Sequence, residues 1–119
     1  DPTSSGEDKA GQTWLYEPIN KDEGKLTLLS KSPNCQFLDM PDNICLHPKN
    51  NMLFICEDSD YAELGGIPDN FVRILTPDGK LADFAKNITP NMERFEFCGS
   101  VFTKDGKTLF VNIQSIDAT

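Results

Sequence analysis

The feature that most limits what this chain can fold into is a hairpin pattern that occurs twice. Asn43-Ile44-Cys45-Leu46 leads through a polar turn to Leu53-Phe54-Ile55-Cys56-Glu57, and Gly99-Ser100-Val101-Phe102 leads in the same way to Leu109-Phe110-Val111-Asn112-Ile113. Leu53 and Leu109 are 109 − 53 = 56 residues apart. Each stretch reads as strand, turn, strand, and the second strand is apolar on consecutive residues, so both of its faces need cover. Recurrence of such a unit at a fixed spacing is the mark of stacked β-propeller blades. One hairpin cannot bury its own faces. The expected fold is therefore all-β: a partial β-propeller with about two blades' worth of antiparallel four-stranded sheets.

A second pair of hairpins alternates with the first. Gly11–Pro18 reads as a strand, with Trp14 and Tyr16 on one face and Thr13 and Leu15 on the other. Asn20–Gly24 turns it into Leu26–Ser30. Phe71–Pro77, the Asp78-Gly79 turn and Leu81–Ala85 repeat that plan, and Asp-Gly between apolar strands is a strong hairpin signal. The implied organisation is an irregular segment over residues 1–10 and a propeller segment over 11–119. Within it, 11–30 is the outer hairpin of one blade, 43–86 a complete blade, and 99–114 the inner hairpin of the next. Residues 59–69 read as a loop at a strand end, where functional groups gather. Eight prolines and eight glycines leave little room for helices.

Composition excludes some functions. The 119 residues suit one ordinary domain, and a net charge of −8 offers no basic patch to displace counterions from nucleic acid. An acidic chain suits calcium or another hard cation, although many acidic chains are merely soluble. No apolar run approaches the roughly 18–20 residues of a membrane span, and the polar opening Asp1–Asp8 is no signal peptide. Export stays open; the sequon Asn87-Ile88-Thr89 is one weak pointer to it. Cys35, Cys45, Cys56 and Cys98 form no C-x-x-C pair, which argues against a zinc ribbon or thioredoxin motif. A tight turn at Asn50-Asn51 would set Cys45 opposite Cys56, whereas a longer turn would separate them. Buried free thiols are the expected state for these two.

Three clusters carry candidate chemistry: Pro41-Asp42-Asn43, Cys56-Glu57-Asp58 and Phe95-Glu96-Phe97-Cys98-Gly99. In a blade, Asp42 and Asn43 open the innermost strand, Glu96 opens the equivalent strand of the next blade, and Glu57 and Asp58 close the neighbouring strand. Hairpin geometry then brings Asn43 and Glu57 to one rim. Carboxylates and an amide oxygen converging there suit calcium. The plain alternative is that Asp42 and Asn43 cap a turn and Glu57 is solvated. His47, the only histidine, sits before Pro48 in a turn and reads as a surface residue. No Gly-x-Ser-x-Gly, Walker loop or His-Glu-x-x-His is present.

The ordered set Gly11-Gln12-x-Trp14-x-Tyr16-x-Pro18, Leu26–Leu29, Pro41–Ile44, Cys56–Asp58, Leu75–Gly79, Phe95–Phe97 and Lys104–Gln114 resembles the C-terminal part of the PhoX-type alkaline phosphatases. The resemblance implies a secreted β-propeller, periplasmic, extracellular or in an organelle lumen. It implies hydrolysis of phosphate monoesters at a centre of calcium and iron, whose charges polarise the phosphoryl group. Family ligands carry over to Glu57 and Glu96 first, with Asp58 and Asn43 behind them. Cys98 stands where the family usually has a small residue, so it is not an expected iron ligand.

Two other readings compete. One is a propeller-derived accessory subunit without catalysis, docked on a larger protein assembly. The other is a sugar-lactonase-like propeller, which also uses Pro-Asp-Asn turns and calcium. On the phosphatase reading the expected partners are a phosphomonoester and either a protein partner or further propeller blades, without which this chain has too few ligands for turnover.

Overall fold

A computed structural model describes residues 10–59, 69–91 and 95–114. The segment 1–9, most of the anticipated loop (60–68) and the last residues, 115–119, lie outside the described residues. Eight strands occur in the order β1 (Gln12–Pro18), β2 (Gly24–Lys31), β3 (Pro41–Leu46), β4 (Leu53–Glu57), β5 (Phe71–Leu75), β6 (Leu81–Lys86), β7 (Phe97–Phe102) and β8 (Leu109–Ile113). No described residue is helical. The strands form three antiparallel sheets: β1-β2, the four-stranded meander β3-β4-β5-β6, and β7-β8. The fold is all-β, as the punctuation of the sequence predicts, and the four-stranded meander has the strand order of a propeller blade.

Both hairpin types recur in detail. β3 and β7 begin 97 − 41 = 56 residues apart. Their turns close with equivalent bonds, from the His47 N–H to the Met52 carbonyl and from the Thr103 N–H to the Thr108 carbonyl, each 2.9 Å. The outer hairpins share an irregularity: β1 slips register between Thr13 and Trp14, and β5 between Val72 and Arg73, 72 − 13 = 59 residues on. Pro18 and Pro77 keep the same offset, 77 − 18 = 59. In the two Asp-Gly turns Gly79 and Gly106 take φ of 84° and 75°, the left-handed conformation that glycine adopts at no steric cost.

The first inner turn is longer than the Asn50-Asn51 reversal considered from sequence. It runs from His47 to Met52, so Cys45 pairs with Phe54 rather than Cys56. All four cysteines are free thiols.

The central sheet is covered on both faces. On one, Phe54, Cys56 and Val72 pack with Phe97, flanked by Ile74, Phe102 and Leu109. On the other, Ile55 and Leu75 pack beneath Leu38 of the β2–β3 connection. His47 is no bare surface residue. Its ring lies 4.7 Å from that of Phe102, edge on, and its Nε2 is 3.1 Å from the Gly106 carbonyl. That contact ties the two inner turns together. Trp14, Leu15, Tyr16, Leu26, Phe110 and Ile113 of the terminal hairpins are exposed, as are Ile44 and Leu46 of β3 and Phe84 of β6 on the edge strands of the central sheet.

Candidate metal centre

β7 packs beside β3 and β4, so the start of β7 meets the start of β3 and the end of β4. A bulge between Pro41 and Asn43 makes Asp42 the extra residue of β3, with Pro41 opposite Glu57 and Asn43 opposite Cys56. Bulges of this kind re-aim a side chain at a sheet rim. The Asp58 N–H donates to the Met40 carbonyl (3.0 Å), and the Gln114 N–H donates to the Glu96 carbonyl (2.9 Å) at the equivalent place one repeat later. The two rims are thus locked in the same way.

Three carboxylates converge there. Asp42, Asp58 and Glu96 each offer an oxygen, all within 4.8 Å of one another. Asp42 and Asp58 are exposed and Glu96 is half-buried. Burial pushes the Glu96 carboxyl above its ordinary range, and the charges of Asp58 and Asp42 push it the same way. Its Oε2 is buried, with no hydrogen-bond partner among the described residues. Like charges crowded around a buried acceptor disfavour one another, and a cation held there would offset both penalties. The donor set is all oxygen, which fits a hard cation such as calcium. The Asn43 Nδ2 donates to Asp42 Oδ2 at 2.5 Å, so the amide orients Asp42 at the edge of the cluster. Beside it lies an open cleft of about 400 Å³ lined by Gly11, Gln12, Met40, Pro41, Asp42 and Asp58.

Glu57 is placed elsewhere. Its side chain is wholly buried, and Oε1 accepts from the Asp39 N–H (2.9 Å) and from Arg73 Nε (2.8 Å), while Oε2 accepts from the Phe71 N–H (3.1 Å). Burial raises its pKa; Arg73 and the two backbone donors oppose that. Arg73 itself reaches Asp83 and the Gln36 carbonyl and lies 3.8 Å over the Phe71 ring. On the far side of Asp58, the Ser59 hydroxyl donates to Asp39 Oδ2 (2.5 Å) and its N–H to Asn70 Oδ1 (2.8 Å). Asp58 is therefore held between two buried, bonded neighbours while its own carboxylate faces the cluster. Of the four residues anticipated as ligands, Asp58 and Glu96 meet, Asn43 lies alongside, and Glu57 is engaged with Arg73. Asp42 joins the cluster through its bulge; the Pro-Asp before an apolar strand was the signal available for it.

Two smaller points follow from burial. Burial holds the Cys98 thiol above its usual pKa, reinforced by Glu96 and Asp42. Asn87 of the sequon is buried and its Nδ2 donates to the Phe95 carbonyl at 3.1 Å, so it does not present an accessible glycosylation site.

The described residues form one four-stranded antiparallel sheet between two hairpins, with an oxygen-only cluster of carboxylates at one rim. The family model described as Alkaline phosphatase PhoX matches residues 2–117. The chain belongs to that family. No curated protein and no solved structure matches it.

Proposed function

We propose that this chain supplies one wall of the metal centre of a phosphatase that hydrolyses phosphate monoesters. The observation that carries the reading is the convergence of Asp42, Asp58 and Glu96, with Glu96 Oε2 buried and without a hydrogen-bond partner among the described residues, in a chain of the PhoX family. A phosphate monoester is an anion and is repelled by three bare carboxylates, so substrate can approach this rim only when cations lie between. Bound there, hard divalent ions supply Lewis acidity toward a phosphoryl oxygen. Asp42, Asp58 and Glu96 would hold them, and Asn43 would fix the orientation of Asp42. The cleft beside Asp42 and Asp58 gives the substrate room to approach.

Three carboxylates do not complete the six to eight oxygen ligands that calcium takes. The remaining ligands, and iron if the centre holds it, come on this reading from further blades of a propeller in an exported protein. The domain scheme follows: 11–30 an outer hairpin, 43–86 a whole blade, 99–114 an inner hairpin.

Calcium titration of the chain, followed by calorimetry and by terbium luminescence, tests the ligand set without requiring turnover. Asp58→Asn and Glu96→Gln should each weaken binding by about 1 kcal/mol or more, the scale of a lost charged contact, while Glu57→Gln should act on stability. Hydrolysis of p-nitrophenyl phosphate by the assembled protein, lost with chelator and restored by calcium, tests the activity. Unchanged binding in Asp42→Asn, Asp58→Asn and Glu96→Gln alike sinks the assignment.

A further inference from the structure

Asp58 and Glu96 stand on different sheets, one just past the end of β4 and the other just before β7, so no ladder bond between those strands sets their separation. A buried chain of hydrogen bonds runs from one to the other instead. The Ser59 N–H donates to Asn70 Oδ1 (2.8 Å), the Asn87 N–H donates to the Asn70 carbonyl (3.0 Å), and Asn87 Nδ2 donates to the Phe95 carbonyl (3.1 Å). Ser59 follows Asp58 in the sequence, and Phe95 precedes Glu96. Asn70 and Asn87 stand one position beyond Phe71 and Lys86, the end pair of the β5–β6 ladder. Both are buried, at 0% and 2% exposure. Asn87 also accepts from the Thr89 N–H through Oδ1 (3.1 Å). Donating and accepting at once takes a carboxamide; an ionised carboxylate or an apolar side chain cannot do it. Buried polar links of this kind specify one geometry and are costly to break.

We infer that Asn70 and Asn87 are positioning residues that set the separation of the Asp58 and Glu96 carboxylates, spacing the rim for a divalent cation before one binds. The inference deepens the metal-centre reading proposed above and rests on it. Anchored on the β5–β6 ladder, the relay holds the two main-chain segments against the mutual repulsion of their carboxylates. Outer partners of metal ligands contribute affinity in this way, by orienting groups that touch the ion.

Calcium titration of the assembled protein by calorimetry tests it, at a temperature where thermal melts show the variants folded. Asn70→Ala and Asn87→Ala should each weaken calcium binding about tenfold or more. The double variant should be little weaker than the poorer single one, because both substitutions break the same chain of bonds. Leu75→Ala, which opens the core on the other face of the sheet, should lower stability and leave calcium affinity unchanged. Where an asparagine variant does not fold, the wild type reads the coupling directly. Calcium should slow amide exchange at Ser59 and Asn87 more than at His47, whose N–H is bonded at the opposite end of the β3–β4 hairpin. Unchanged affinity in both asparagine variants, an equal loss in Leu75→Ala, or protection no greater at Ser59 and Asn87 than at His47 overturns the inference. If Asp58→Asn and Glu96→Gln still weaken binding in that case, only the positioning role falls; if they too leave it unchanged, the metal-centre reading falls with it.

Discussion

Replacing Arg73 with methionine puts the role of Glu57 to a quantitative test. The Arg73 and Glu57 side chains are 5% and 1% exposed, with 2.8 Å between Arg73 Nε and Glu57 Oε1, so solvent screens the pair very little. Methionine keeps the bulk of the side chain but leaves a buried carboxylate with two backbone donors and no counter-charge. Breaking a buried pair on one side costs about 3–5 kcal/mol, and the Asp39 and Phe71 N–H groups place Arg73→Met near the lower end. The cost depends on pH. Burial already raises the Glu57 pKa, and removing the guanidinium takes away the strongest opposing influence, so the folded value climbs further above the unfolded value of roughly 4.3. A folded state that keeps a proton which the unfolded chain releases loses stability as pH rises from the unfolded pKa through the folded one. Arg73→Met should therefore cost about 3 kcal/mol at pH 8 and about 1–2 kcal/mol less at pH 5. Urea unfolding at both pH values reads this. Glu57→Gln/Arg73→Met should recover part of the loss, since it leaves no buried charge. A loss below about 1 kcal/mol at pH 8, or equal losses at both pH values, would refute the reasoning. Glu57 would then have to be neutralised by something other than Arg73, and a bound cation would be the first candidate.

Three further outcomes are expected. Gly106→Ala forces a Cβ to within 2.8 Å of the His47 ring at a φ of 75°, so it should destabilise by about 1–2 kcal/mol in thermal melts; an unchanged midpoint counts against the His47–Gly106 fastening. Cys56 is wholly buried and burial raises its thiol pKa, so it should react with a disulfide reagent only on unfolding, and labelling at the rate of the other three thiols contradicts its placement. Asp78 and Asp105 have lowered pKa values, first through Thr76 and Thr103, so each turn gains stability above the unfolded pKa of roughly 3.9 and loses it as pH falls through the lower folded value; carboxyl titration by NMR that places either above an ordinary aspartate disproves those bonds.

The inner repeat was legible because its residues repeat in kind: Leu53-Phe54-Ile55 and Leu109-Phe110-Val111 meet the same demand for cover on both faces. The outer repeat was harder to see. Trp14-Leu15-Tyr16 and Arg73-Ile74-Leu75 share almost no side-chain chemistry, and only their prolines and a backbone register slip show that they are equivalent. Arg73 is the partner of the buried Glu57 carboxylate. At the candidate site, simple alternation predicts that Asn43 faces Glu57. The bulge at Asp42 breaks that alternation, turning Asp42 toward the cluster and leaving Glu57 opposite Pro41. Bulges are properties of backbone pairing, and nothing in a short polar run such as Pro41-Asp42-Asn43 announces which residue will be the extra one. Glu57 and Asp58 illustrate the same limit, since adjacent carboxylates on a strand end must part to opposite environments, and only packing decides which goes inward.

The two inner hairpins are fastened at one end by the His47–Gly106 contact and crowded at the other by Asp42, Asp58 and Glu96. If the cluster holds a cation as proposed, the ion would offset the repulsion between carboxylates carried by neighbouring sheets and so bear on their spacing.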